Sequence, residues 1–183
     1  MDGRVNIREL TSDPCDMAQL QGVLEAAPSY AHLVTGCPVG PADAQSLYSI
    51  LPEGKAYDDK FVFAISLGER MVGCVDLIRG YPDASTAQLG LLLIDETFQN
   101  LGVGRAAYGA IEDCVRAWNT CTRIRIGVVG TNANVLGFWT RQGFQPTGDI
   151  KPYRYASVIS ETIILIKTLS LPVPAKPHHG LSA

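Results

Sequence analysis

The residues with the clearest chemical potential are 99–107, Gln-Asn-Leu-Gly-Val-Gly-Arg-Ala-Ala, where Gly102 and Gly104 stand one residue apart between an apolar run and a helical stretch. Glycines spaced in this way let backbone N–H groups approach a phosphate with no Cβ in the path. The letters of Gly102, Gly104 and Ala107 match the dinucleotide fingerprint. That fingerprint, however, needs its first glycine directly after a strand and an acid about 20 positions further on. Here the apolar strand runs out near Ile94, and Cys121–Gly130 contains no acid. A nucleoside-triphosphate loop would need Gly-Lys-Ser/Thr, and Arg105 and Ala106 follow Gly104 instead. What remains is a helix start whose consecutive amides suit an anionic group such as a phosphate, with Arg105 adding a mobile positive charge.

Other side chains able to do chemistry are sparse. Asp76 interrupts the apolar run Met71–Ile78; the plainer reading is an outward-facing edge residue, the functional one a carboxylate raised in pKa by burial. Tyr153 and Tyr155 fall in Lys-Pro-Tyr-Arg-Tyr-Ala-Ser. Cys74 would suggest a covalent nucleophile, but no histidine lies in the strand region; His32, His178 and His179 are elsewhere. The five cysteines fit no metal-ligand spacing, so no metal is expected, and Cys74, Cys114 and Cys121 read as small hydrophobes in a reducing compartment.

The elements that must position these residues follow from periodicity. Residues 4–10 read as a first strand. A helix then starts with Asp13 as N-cap and Pro14 in the first turn. Residues 28–60, rich in Pro and Gly, carry one weak helix around 41–51 and either shape a pocket or merely connect. Residues 61–67 and 71–79 form a hairpin, and 87–95 is a fourth strand apolar on both faces, hence central. A helical stripe covers 102–118, 123–129 alternates as a fifth strand, and 132–142 is a short helix ended by Gly143. Two strands, 144–155 and 157–168, close the domain. Strands four and five flank a helix, so they should be parallel with a right-handed crossover. The glycine loop then sits at that helix's N-terminus.

Composition bounds the rest. The chain has 183 residues, a formal net charge of −3 and 46% hydrophobic residues, fitting one domain over 1–170 and a Pro-rich tail, 171–183, read as disordered. The acidic balance argues against a nucleic-acid partner. No signal peptide and no membrane-length apolar run are visible, so a cytoplasmic location is expected. A homodimer is left open.

Gln99-Asn100-Leu101-Gly102-Val103-Gly104 resembles the Gln/Arg-x-x-Gly-x-Gly/Ala signature of the GNAT superfamily of N-acetyltransferases. Asn132 with Phe138-Trp139-x-x-x-Gly143-Phe144 is similar to that family's second motif, with Val135 where Ala is usual. The resemblance runs over residues 4–168 and is most specific in 87–147. It implies an α/β (mixed α+β) GNAT fold: a central, mostly antiparallel sheet of about seven strands, strands four and five parallel and splayed, flanked by helices. It implies acetyl-CoA as co-substrate, acetyl transfer to a primary amine of a small molecule or peptide, and a loop from Gln99 to Arg105 holding the pyrophosphate. By the same resemblance the backbone of Leu92, Leu93 and Ile94 and the side chain of Asn132 hold the pantetheine arm. Phe138 and Trp139 then line the slot, and Arg141 reaches an adenosine phosphate. Trp139 departs from the pattern, standing where the family's tyrosine acid is usual, and an indole N–H is too weak an acid to replace it. Tyr153 and Tyr155 become candidate acids, and Asp76, ahead of Glu96 and Glu161, the candidate base. Two other readings stay open: a non-catalytic acyl-CoA-binding domain, and an acyltransferase using a longer acyl chain.

Overall fold

A computed structural model describes residues 4–170; the tail assigned to 171–183 lies outside them. Strand β1 (Val5–Glu9) leads to helices α1 (Pro14–Glu25), α2 (Pro28–Thr35) and α3 (Asp43–Ser49). The hairpin β2 (Lys60–Leu67) and β3 (Arg70–Arg79) follows, then β4 (Thr86–Ile94), α4 (Val103–Ala117), β5 (Arg123–Val129), α5 (Leu136–Arg141), β6 (Gln145–Tyr155) and β7 (Val158–Thr168). One seven-stranded sheet results, in the order β1-β2-β3-β4-β5-β7-β6. Every pairing is antiparallel except β4 with β5, which is parallel. A mixed, mostly antiparallel sheet with one parallel pair is therefore what the order of elements anticipates.

Alternation along the strands builds two cores. Val75, Leu77, Ala87, Leu89, Ile124 and Ile126 point to one face, where Val103, Ala107, Ile111 and Val115 of α4 cover them. Val62, Ala64, Cys74 and Leu93 point to the other, under Leu20, Val23 and Leu24 of α1. Asp13 caps α1 as its sequence promises, accepting from Cys15 N at 2.8 Å.

Three expectations need correction. Residues 28–35 are not loop but helix α2, started by Pro28 and ended by Gly36 at φ +73°. Pro in a first turn and Gly at a left-handed cap are helix punctuation; their density here imitates a linker. The helix expected over 132–142 is divided: a 3-10 stretch, Gly130–Val135, holds Asn132 at a non-helical φ −108°, ψ 26°, before α5 begins. Asp76 is also not on an edge, because β3 lies third in the sheet.

Candidate active site

β4 and β5 pair at only three positions, Thr86 with Arg123, Ala87 with Ile124 and Gln88 with Arg125. Beyond them the strands part. The cause is visible in the register with β3: Asp76 faces Leu91 while Leu77 faces Leu89, so Gly90 is an extra residue bulged out of β4. A bulge bends and twists its strand, and from Leu89 to Ile94 the β5-side edge of β4 is left unpaired. The opening is a cleft of about 680 Å³ that passes between the strands and reaches both faces of the sheet.

On the α4 face the cleft ends at the glycine loop. Asp95 turns the chain by accepting from Thr97 N at 2.8 Å and is paired to Arg70 at 3.0 Å. The Gln99 amide donates to Ile94 O at 2.9 Å, tying the loop back to the strand end. Gly102 takes φ +83° and, with no side chain, leaves the first turn of α4 uncapped. The amides of Val103, Gly104 and Arg105 have no intrahelical acceptor, and Asn100, Gly102, Gly104 and Arg105 line the cleft around them. Asn132, Phe138 and Arg141 close it from the β5 side. This end of the cleft fits an anionic group on a long arm: free amides, a helix dipole and two arginines converge there. Trp139 is 8% exposed, with its ring 4.9 Å from that of Phe138, 5.2 Å from Phe144 and 5.8 Å from Tyr108. It is a core aromatic whose edge reaches the cleft.

On the opposite face α2 forms the roof, with Ser29, Tyr30, Leu33 and Val34 lining the cleft. Four long-range bonds hold it, the longest from the Ser157 hydroxyl to Thr35 O at 3.5 Å. Glu96 accepts from Ser29 N at 2.8 Å at its N-terminus. The Thr131 hydroxyl donates to Leu33 O at 2.6 Å and the Tyr153 hydroxyl to Val34 O at 2.8 Å. Burial pushes the Tyr30 phenol up to about 12. Asp76 lies beneath: Oδ1 accepts from Lys60 Nζ at 2.7 Å, and Oδ2 sits 2.8 Å from where a Cβ on Gly90 would stand. The side chains of Lys60 and Asp76 are 4% and 16% exposed. Burial raises the Asp76 carboxyl above its ordinary range while the Lys60 ammonium pulls it back. Cys74 is fully buried, and that burial raises its thiol above its ordinary value, the environment of a packing cysteine.

Of the residues singled out from sequence, Leu92, Leu93, Ile94, Gln99, Asn100, Gly102, Gly104, Arg105, Asn132, Phe138, Trp139 and Arg141 line this one cleft. Leu101 projects into solvent beside it, and Val103 is buried under the sheet, anchoring the helix start. Asp76 borders it through Gly90. Tyr153 is occupied as a tether, and Tyr155 is 58% exposed next to the β6–β7 turn. Glu96 serves the α2 N-terminus. Sequence reasoning missed Ser29, Leu33 and Val34, hidden in the unrecognised helix, and the roles of Gly90 and Gly127. For those two a signal existed: an isolated glycine within a strand pattern marks a bulge or a close approach.

Among the described residues no group of His, Cys, Asp and Glu is arranged for a metal ion, and no helix is long and apolar enough to cross a membrane. By sequence, no curated protein matches. Solved structures share the fold: an acetyltransferase from Thermus thermophilus is similar at 26% identity and TM-score 0.70, covering 90% of this chain and 97% of that one. Ard1 from Thermoplasma volcanium is similar at 20% identity and TM-score 0.67, covering 91% and 98% of the two chains. So is the ribosomal-protein-S18-alanine N-acetyltransferase from Escherichia coli at 17% identity and TM-score 0.64, covering 94% and 98%. The acetyltransferase (GNAT) family pattern matches residues 28–144, more than half of the chain and the whole of the splayed-strand cleft, and the chain belongs to that family.

Proposed function

We propose that the protein, as a single domain over 1–170, is a cytoplasmic N-acetyltransferase that moves an acetyl group from acetyl-CoA directly to a primary amine of a small molecule or peptide. One observation carries this reading: a single cleft joins the uncapped glycine start of α4 to the opposite face of the sheet, through the gap between β4 and β5. The relative from Escherichia coli, by its name, acetylates an alanine of a ribosomal protein, and amine acceptors are thus within reach of this architecture.

Acetyl-CoA supplies the activated acyl thioester. The amides of Gly102 to Arg105, with Arg105 and Arg141, hold its phosphates. The unpaired edge of β4 at Leu92–Ile94 and the side chain of Asn132 align its arm. Donors on that edge stabilise the oxyanion that forms as the amine attacks, without moving to do so. Asp76 takes the proton from the amine, directly or through water across Gly90. Trp139 cannot act as an acid and the Tyr153 proton is committed to Val34, so the departing thiolate takes its proton from water.

The test follows free thiol while acetyl-CoA is incubated with a library of amines. Amine-dependent release is expected, with an acid limb in kcat/KM above the ordinary carboxylate range, because the base form of Asp76 is lost as pH falls through its raised pKa. Asp76→Asn should lower kcat by about 100-fold or more and remove that limb. Tight CoA binding with no thiol release against any amine would mean a binding protein instead. Faster turnover of longer acyl-CoAs would overturn the choice of donor.

A further inference from the structure

We infer that the acceptor is an amine that also carries an anionic group, an α-amino acid being the simplest case, with its amine at Asp76 and its anion at Arg125. The inference rests on the N-acetyltransferase reading and names the substrate class for it.

Asp76, Gln88 and Arg125 occupy neighbouring strands β3, β4 and β5, and their chain neighbours Val75, Leu77, Ala87, Leu89, Ile124 and Ile126 all point under α4. Alternation therefore turns all three to the opposite face, the side of the sheet that α2 roofs. The helices on that face pack on Val62, Ala64, Cys74 and Leu93 and leave the floor between β4 and β5 open. Gly90 and Gly127 are both exposed there and both line the cleft. Asp76 pairs with Leu91 and Arg125 with Gln88, so the two stand on either side of β4, two strand spacings across and two residues along β3, about 12 Å apart at their Cα atoms, on the face that carries that floor.

Each of the two charges is only half used. Asp76 spends Oδ1 on Lys60 and leaves Oδ2 over Gly90. Arg125 donates from Nη1 to Gln88 Oε1 and, among the described residues, meets no carboxylate. Its strand neighbour Arg123, by contrast, is matched by Asp83 at 3.2 Å. A partly buried guanidinium without a counter-charge is costly to keep unless an anion completes it. A zwitterion spanning the two groups satisfies both at once and places its nitrogen where the base is. The roof above is apolar at Leu33 and Val34, which suits an apolar side chain on such an acceptor.

The experiment compares L-methionine with 3-(methylthio)propylamine and L-phenylalanine with 2-phenylethylamine, pairs that differ by the carboxylate alone. In the thiol-release assay the carboxylate-bearing member should be favoured in kcat/KM by about tenfold or more, as expected for a hydrogen bond between charged groups. Arg125→Gln should collapse that ratio towards one, and Arg125→Lys should retain part of it. Melting curves recorded with CoA give a readout without turnover. L-Methionine should raise the melting temperature beyond CoA alone, 3-(methylthio)propylamine should raise it less, and the difference should vanish in Arg125→Gln. Equal use of both members, or an unchanged ratio in Arg125→Gln, overturns the inference. If no amine releases thiol, the catalytic reading fails, and the melting curves alone decide the subsite: a rise confined to the carboxylate-bearing ligand upholds it, and anything else overturns it.

Discussion

A Cβ added at Gly104 would come no closer than 3.7 Å to Ile94 and 3.8 Å to Phe138, ordinary contacts. The packing of the protein does not itself demand glycine there; the space it leaves opens on the cleft beside the free amides of α4. Acetyl-CoA at about 100-fold over its Kd should stabilise the fold by about 2.7 kcal/mol, a rise in melting temperature of about 5–10 °C for a domain of this size. Gly104→Val should fold and lose that rise, and a variant that folds and still responds fully would remove the loop from the site. The placement of Gly102 and Gly104 at the start of α4 was legible in the sequence because glycine spacing before a helical stripe is a local pattern. Asp76 was legible only as an oddity in an apolar strand; its partner Lys60 and its position over Gly90 depend on register. Arg125 gave no signal, since charged residues alternate in any strand with one open face.

Two elements owe their placement to polar bonds that composition does not announce. The carboxylate of Asp16 in α1 receives Arg8 Nη2 at 2.7 Å from β1 and Thr11 N at 2.8 Å, locking strand to helix. The Arg8 hydrogen bond, followed by that of the Thr11 amide, holds its pKa well below the usual carboxylate value. The folded pKa being lower than the unfolded one, this stabilisation is present above about pH 4 and is lost as pH falls. Asp16→Ala should lower stability by about 1.5–3 kcal/mol at pH 7, and the gap to wild type in urea titrations should narrow below about pH 4. Helix α2 is held by Glu96, Thr131 and Tyr153. Tyr153→Phe should cost about 1 kcal/mol and raise the KM for the amine, with kcat within threefold of wild type. A hundredfold fall in kcat would mark Tyr153 as the proton donor. The amphipathic stripe of α4 and the strand alternations were readable because their periods repeat within a few residues. Helix α2 was not, because eight residues bounded by Pro28 and Gly36 offer barely two turns of pattern.

Across the whole molecule the sheet is nearly two sheets. β1 to β4 and β5 to β6 meet through three paired positions, while one buried core spans the seam, from Ile65 and Val75 through Ile111 of α4 to Ile124, Phe144 and Leu165. Helix α4 is the bridge, and Ile111, fully buried in the middle of it, touches the integrity of both halves. Ile111→Ala should lower stability by about 2–5 kcal/mol while unfolding in urea stays a single transition by both far-UV circular dichroism and tryptophan fluorescence. Separate transitions would mean that the halves fold independently. The parallel contact of β4 and β5 was foreseeable from the helix between them, whereas how soon that contact ends was not.

The bulge at Gly90 is a slip of phase. Residues facing α4 are odd-numbered before it, Ala87 and Leu89, and even-numbered after it, Leu92 and Ile94. Removing Gly90 leaves every remaining side chain of β4 on its present face, so the core would not register the loss. The strand would run straight and β5 could follow it past Gln88. A chain lacking Gly90 should therefore fold with a continuous sheet and show no melting response to acetyl-CoA. The capacity to bind would then rest on a single residue out of step, one whose deletion is silent to the core.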